Sequence, residues 1–173
     1  MRIVDNKLKK CKSYIGIFDK QTNKNMEGFT VSIDNRFFRV VSCRVICDQF
    51  FSESGEVILQ SNVATIRLVV HTHGGDESII EAEEGEGPVN VLDKVLRKAI
   101  ARFFPEVQGV RISDFKVGKE SGDGSRAKVR VEIEFSDGSG KWWTAKGVSE
   151  NIIGASLIAI AIGLEEEIKM IFP

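Results

Sequence analysis

The chain repeats itself, and that narrows its possible folds more than any other feature. From Arg39 onward, three strand-like runs, a glycine turn and a helix occur twice in succession. In the first pass, Val40 to Phe50 reads as a strand with Val41, Cys43, Val45 and Cys47 on one face. Ala64, Ile66, Leu68 and Val70 then alternate with Thr65, Arg67 and His71, the period-two signature of a half-buried strand. His73-Gly74-Gly75-Asp76 is a turn, Ser78 to Glu84 a third strand, and Gly85-Glu86-Gly87-Pro88 opens a helix. Pro88 suits a first helical position, and Val91, Leu92, Val95, Leu96, Ala99, Ile100 and Phe103 follow at helical spacing until Pro105.

The second pass has the same order. Val110 to Lys119 is a strand and Ser121-Gly122-Asp123-Gly124 a turn. Ala127, Val129, Val131, Ile133 and Phe135 then point inward, while Arg126, Lys128, Arg130, Glu132 and Glu134 point out. Asp137-Gly138-Ser139-Gly140 turns into Lys141 to Lys146, and Gly147-Val148-Ser149 leads into a helix from about Glu150. The halves align at an offset of 63 on the long strand (Thr65 with Lys128) and 62 at the glycine before the helix (Gly85 with Gly147). This predicts an α+β fold of two pseudo-symmetric βββα units, about 39–105 and 110–173, with helices packed on antiparallel sheets. With 42% hydrophobic residues in 173, the chain can build a core without disulfides or metal, but it is too short for a (β/α)8 barrel of about 250 residues.

The two helices differ. The first carries Asp93, Lys94, Arg97, Lys98 and Arg102 along one side, which implies a face toward water. The second, Ile152 to Leu164, is apolar almost all round and must be buried on every side. A sheet covers one face only, so the other requires the first helix or a second chain, and the expectation is a homodimer that buries this helix. Residues 1–38 stand apart. Over 1–28, Arg2, Lys7, Lys9, Lys10, Lys12, Lys20 and Lys24 outweigh Asp5, Asp19 and Glu27, and two apolar runs, 14–18 and 29–33, read as possible strands of an N-terminal arm.

Several functions are disfavoured. Lys and Arg total 24 against 25 Asp and Glu, and this balance argues against a general nucleic-acid binder. The longest uncharged stretch, Asn151 to Leu164, falls well short of the roughly 20 residues a membrane span needs. Cys11, Cys43 and Cys47, with a charged N-terminus lacking an apolar signal core, fit reduced, buried thiols and a cytoplasmic location. His71-Thr72-His73, with Asp76 or Glu77 nearby, has the spacing of a metal pair, and a small metal hydrolase using His71, His73 and Asp76 is one alternative. There is no third histidine, and the pair closes a hairpin at a Gly-Gly turn, so a solvated hairpin is the preferred reading. Asp76, Glu77, Glu81, Glu83, Glu84 and Glu86 read as a charged edge strand that resists edge-to-edge pairing. The glycine turns before the helices remain. Each brings backbone N–H groups to a helix N-terminus, which favours a carboxylate or another anion.

The runs EGEGPVNVLDKVLRKAI, VRISDFKV, SRAKVRVEIEFSDG and GVSENIIGASLIAI resemble the C-terminal regulatory (allosteric, dimerisation) domain of 2-isopropylmalate synthase and its relatives. The Ser-Glu-Asn-Ile-Ile form, Leu96-Arg97-Lys98-Ala99 and Phe38 to Ile46 are most similar to citramalate synthases, and the likeness covers about residues 39–168. The resemblance implies a dimeric regulatory domain over 39–173 that binds a branched-chain amino acid, isoleucine or leucine, for feedback inhibition. Residues 1–38 would then be an arm or a connector remnant. It also implies no catalytic residue and no cofactor in this chain, because the family's divalent metal and acetyl-CoA belong to a catalytic barrel that is absent here. That barrel would lie elsewhere in the protein or in a separate catalytic subunit. The effector site implied is at the dimer interface: Gly85, Gly87, Pro88, Val89 and Asn90 for the amino-acid head group, and Ile112, Phe115, Ala127 and Val129 for the apolar wall. Asn90 stands where many relatives carry Asp, and Phe115 where they often carry Tyr. A dimerisation module without a ligand is the remaining alternative.

Overall fold

The computed structural model describes residues 35–124 and 127–173. The apolar runs at 14–18 and 29–33, Cys11 and Arg126 lie outside the described residues. The first unit consists of β1 (Phe38–Phe51), β2 (Val57–Thr72) and β3 (Gly75–Gly85), followed by helix α1 (Pro88–Ala101). A 3-10 turn, Pro105–Gln108, leads into the second unit of β4 (Arg111–Ser121), β5 (Lys128–Ser136), β6 (Trp142–Ser149) and helix α2 (Ile152–Ile171). Both sheets are antiparallel with strands in sequence order. The duplication of βββα units is therefore present as the sequence predicts. The helix N-caps, Gly87 and Asn151, lie 151 − 87 = 64 apart, so Gly85 corresponds by position to Ser149 and not to Gly147.

The alternation in β2 and β5 builds the core. Ala64, Ile66, Leu68 and Val70 are fully buried on one face of the first sheet, as are Val131, Ile133 and Phe135 on the second. α1 lies on β2 and β3, α2 lies on β5 and β6, and the helices meet each other, so the apolar interior is continuous between units. Gly147 sets the distance between α2 and β6: a Cβ there would fall 2.0 Å from the Ala155 carbonyl oxygen.

Three expectations change. A bulge at Val41, between the pairs Val40–Leu68 and Ser42–Arg67, breaks the simple alternation of β1. Phe38 and Val40 therefore join Cys43 and Val45 against the core, while Cys47 is exposed. Only Cys43 of the described thiols is sheltered, and burial pushes its pKa up to about 11, which makes it inert. Arg97 does not simply face water: it pairs with Asp93 and donates to the carbonyls of Val107 and Val110 at 2.6 and 2.7 Å, clamping the 3-10 turn to α1. The third change concerns α2. It extends to Ile171 because Glu165-Glu166-Glu167 and Lys169 are good helix formers. Ala155, Ile158, Ala159, Ile160, Ala161 and Leu164 are fully buried within one chain, by the second sheet, α1 and the 3-10 turn. The first helix supplies the missing cover, so the apolar helix does not itself require a second chain.

The extension of α2 buries two carboxylates. Glu165 accepts from the Arg36 N–H and lies beside Lys169, whereas one oxygen of Glu167 has no hydrogen-bond partner. Burial raises the pKa of Glu167, with Asp137 and Glu106 adding to the rise and Lys141 opposing it. A raised carboxylate pKa means that the folded state binds the proton more tightly than the unfolded chain, so its contribution to stability is greatest in acid. That contribution is lost as pH climbs from the ordinary carboxylate range through the folded pKa. Glu167→Gln is expected to stabilise the domain at pH 7 by roughly 1 kcal/mol, about 2–4 °C in Tm, and to flatten that part of the pH profile. Thermal melts of both proteins from pH 4 to 8 check this, and a Gln variant less stable at pH 7 contradicts it.

Candidate functional site

The first glycine turn is held rigidly, yet its helix end is left open. Gly85 ends β3 opposite Asn62, and Asn62, only 1% exposed, donates to the carbonyls of Glu86 (3.1 Å) and Gly85 (3.4 Å). Asn90 reaches back to accept from the Glu86 N–H at 3.2 Å. A Cβ on Gly85 would sit 2.6 Å from that Asn90 oxygen, so the glycine keeps the turn against the helix. Gly87 is the N-cap and offers no side-chain cap, Pro88 has no N–H, and the first turn contains no acidic residue. Val91 bonds back to Gly87, but the N–H groups of Val89 and Asn90 find no acceptor among the described residues. Those donors and the helix dipole favour a carboxylate there.

The second helix shows the contrast. Asn151 caps α2 by accepting from the Gly154 N–H at 2.7 Å, so this end is closed by its own side chain. The glycine that sequence reading placed before this helix, Gly147, lies inside β6 and serves close packing.

Of the apolar wall residues, Ile112, Phe115 and Val129 are on the second sheet and Ala127 immediately precedes β5. A bulge at Ser113 lets Ile112 and Phe115, three apart in sequence, face the same side as their partners Phe135 and Ile133. Val129 and Val117 continue this face, and β4 lies at the sheet edge, outside the cover of α2. Ile112, Phe115, Ala127 and Val129 are consequently half-buried, and Val117 is 49% exposed. Neither β4 nor β5 is among the principal neighbours of α1, so within one chain the turn and the wall belong to different units.

Asn62 is the site residue that sequence reading missed. It stands one step before the inward set Ala64, Ile66, Leu68 and Val70, and a polar residue in that register was the available signal. Its Oδ1 is buried and unpartnered. The histidines behave as hairpin residues: His71 bonds Asp76 at 2.8 Å across the turn, and His73 is exposed. The acidic strand is partly neutralised from α1, where Lys98 reaches Glu83 (2.7 Å) and Glu81 (3.4 Å). The hydrogen bond from Lys98 holds Glu83 below the usual carboxylate range. Among the described residues no three or more His, Cys, Asp or Glu side chains are grouped to hold a metal ion, and no helix is long and apolar enough to cross a membrane.

Two successive βββα units, each an antiparallel three-stranded sheet followed by a helix, define the class of fold. The family profile described as the LeuA allosteric (dimerisation) domain matches residues 16–167, and the chain belongs to that family. Its similar relatives are (R)-citramalate synthases. The protein from Synechocystis sp. is 36% identical over 78% of this chain and 24% of its own length. That from Geobacter sulfurreducens is 37% identical over 75% of this chain and 23% of its own, and that from Aquifex aeolicus 46% over 59% and 19%. The chain thus spans about a quarter of the length of the curated relatives it matches.

Proposed function

We propose that this domain is the feedback sensor of a citramalate synthase-type acyltransferase and binds isoleucine, or secondarily leucine, between two copies of the chain. The observation that carries this reading is the uncapped N-terminus of α1 beside a glycine with open space at its Cβ position. The effector carboxylate takes the free Val89 and Asn90 N–H groups. Carbonyls of the turn and the Asn90 side-chain oxygen accept from the ammonium group. Ile112, Phe115, Ala127 and Val129 of the partner copy supply the apolar wall, because among the described residues that face is only half covered at the edge strand β4. With Phe115 in place of a phenol, the wall is wholly apolar and makes no hydrogen bond to the ligand. Discrimination between isoleucine and leucine rests on the placement of one methyl group, worth about 1–3 kcal/mol.

Acetyl-CoA, the divalent metal and the condensation belong to a catalytic barrel outside this chain, reached through the segment before β1 or carried by a separate subunit in the cytoplasm. The test is a melting experiment with the homodimer monitored by sedimentation. Millimolar isoleucine raises Tm by several degrees, as mass action requires of a ligand at about 100 times its Kd. A dimer whose Tm responds to neither isoleucine nor leucine would be an assembly module only, and a stable monomer at micromolar concentration would remove the shared site.

A further inference from the structure

At the far end of α1 from the glycine turn, four phenylalanines surround a recess of about 400 Å³. Phe103 and Phe104 follow the C-terminus of α1, Phe37 precedes β1, and Phe172 follows α2. Fourteen helical residues at 1.5 Å rise put this recess about 20 Å from the turn, so it is a separate place on the molecule. Its volume falls within the range of small-molecule sites, and its make-up, apolar walls with a few converging polar groups, is theirs as well.

The rings are fixed at steep angles to one another. Phe104 stands edge-on to Phe37 (5.5 Å, 73°) and to Phe172 (6.0 Å, 65°), so the recess presents both ring faces and ring edges. The polar groups at its rim are cationic or donating. Arg36 lies over the Phe37 ring at 5.0 Å, and its guanidinium has no hydrogen-bonding or anionic partner among the described residues. The backbone N–H of Arg36 is held by Glu165, which anchors the residue without using its charge. His71 is oriented by its bond to Asp76, and its backbone N–H donates to the Phe37 carbonyl at 2.8 Å, tying the hairpin to the aromatic wall. His73 lies beside it.

We propose that this recess binds a small carboxylate with an aromatic ring, the ring among the phenylalanines and the carboxylate on Arg36. A guanidinium over an apolar floor, without a partner among the described residues, selects an anion with a flat apolar body, and a further ring packs on Phe104 as Phe37 and Phe172 already do. The site is independent of the amino-acid site at the other end of α1, and either can exist without the other.

The test titrates 3-phenylpropanoate into the full chain and follows amide and aromatic NMR shifts. Saturable shifts centred on Phe37, His71, Phe104 and Phe172, with a Kd of about 1 mM or tighter, are expected. Arg36→Gln, which retains the backbone bond to Glu165, weakens binding about fivefold, the upper end for an exposed ion pair. The neutral 3-phenylpropan-1-ol binds more weakly by a similar factor. Absence of saturable shifts at roughly tenfold that Kd, shifts mapping elsewhere, equal binding of the alcohol, or unchanged affinity in Arg36→Gln would each overturn the proposal.

Discussion

Gly147→Ala is expected to cost at least about 3 kcal/mol, more than overpacking usually does, and to leave the domain poorly folded. The added Cβ would lie 2.0 Å from the Ala155 carbonyl oxygen, 2.8 Å from the Ala159 nitrogen and 2.9 Å from the Ile158 Cβ. Two of these atoms are helix backbone, which cannot rotate aside, so α2 must lift from β6. Lifting it would expose the fully buried Ile158 and loosen the stacking of Phe135 on Trp143, whose indole N–H donates to the Gly163 carbonyl at 2.9 Å. Gly118→Ala is the control, because a Cβ there meets only the end of the Arg130 side chain at 3.7 Å. Urea unfolding of both variants checks this. Equal midpoints for the two would show that the close approach of α2 to β6 is wrong.

The second large effect is on binding. Gly87 has an extended backbone, φ −155 and ψ 165, which any residue adopts, and a Cβ there meets nothing within 4 Å. Gly87→Val should therefore fold with a loss of no more than about 1 kcal/mol, the cost of a poorer N-cap. Its isopropyl group would nevertheless stand over the Val89 and Asn90 N–H groups and keep a carboxylate beyond hydrogen-bond distance. Affinity for isoleucine should fall at least about a hundredfold, or some 2.7 kcal/mol.

Periodicity alone carried most of the fold. The alternating sets in β2 and β5 and the proline at the start of α1 each have one physical solution, and the elements follow them. What escaped were features set by contacts between segments. The bulges at Val41 and Ser113 depend on pairing with β2 and β5, so nothing within β1 or β4 announces them. The cover of α2 by α1 depends on how the two units dock, which a repeat cannot specify. For the same reason Gly147 reads as a helix-entry turn in sequence but acts as a packing glycine inside β6. At the candidate site, Gly85, Gly87, Pro88 and Asn90 were legible because a glycine turn before a proline-started helix is a local pattern. Asn62, 23 residues before Gly85, was not, since its role arises only from strand pairing. The aromatic recess was invisible for a similar reason, its four rings coming from three widely separated places in the chain.

Calorimetric titration of isoleucine into the full chain and into Gly87→Val tests the central claim most directly. The account predicts saturable binding near one isoleucine per chain for the native domain, and no measurable heat from a variant that melts within a few degrees of it. Absence of binding to the native domain, or the same affinity in Gly87→Val, would contradict an effector site at the N-terminus of α1.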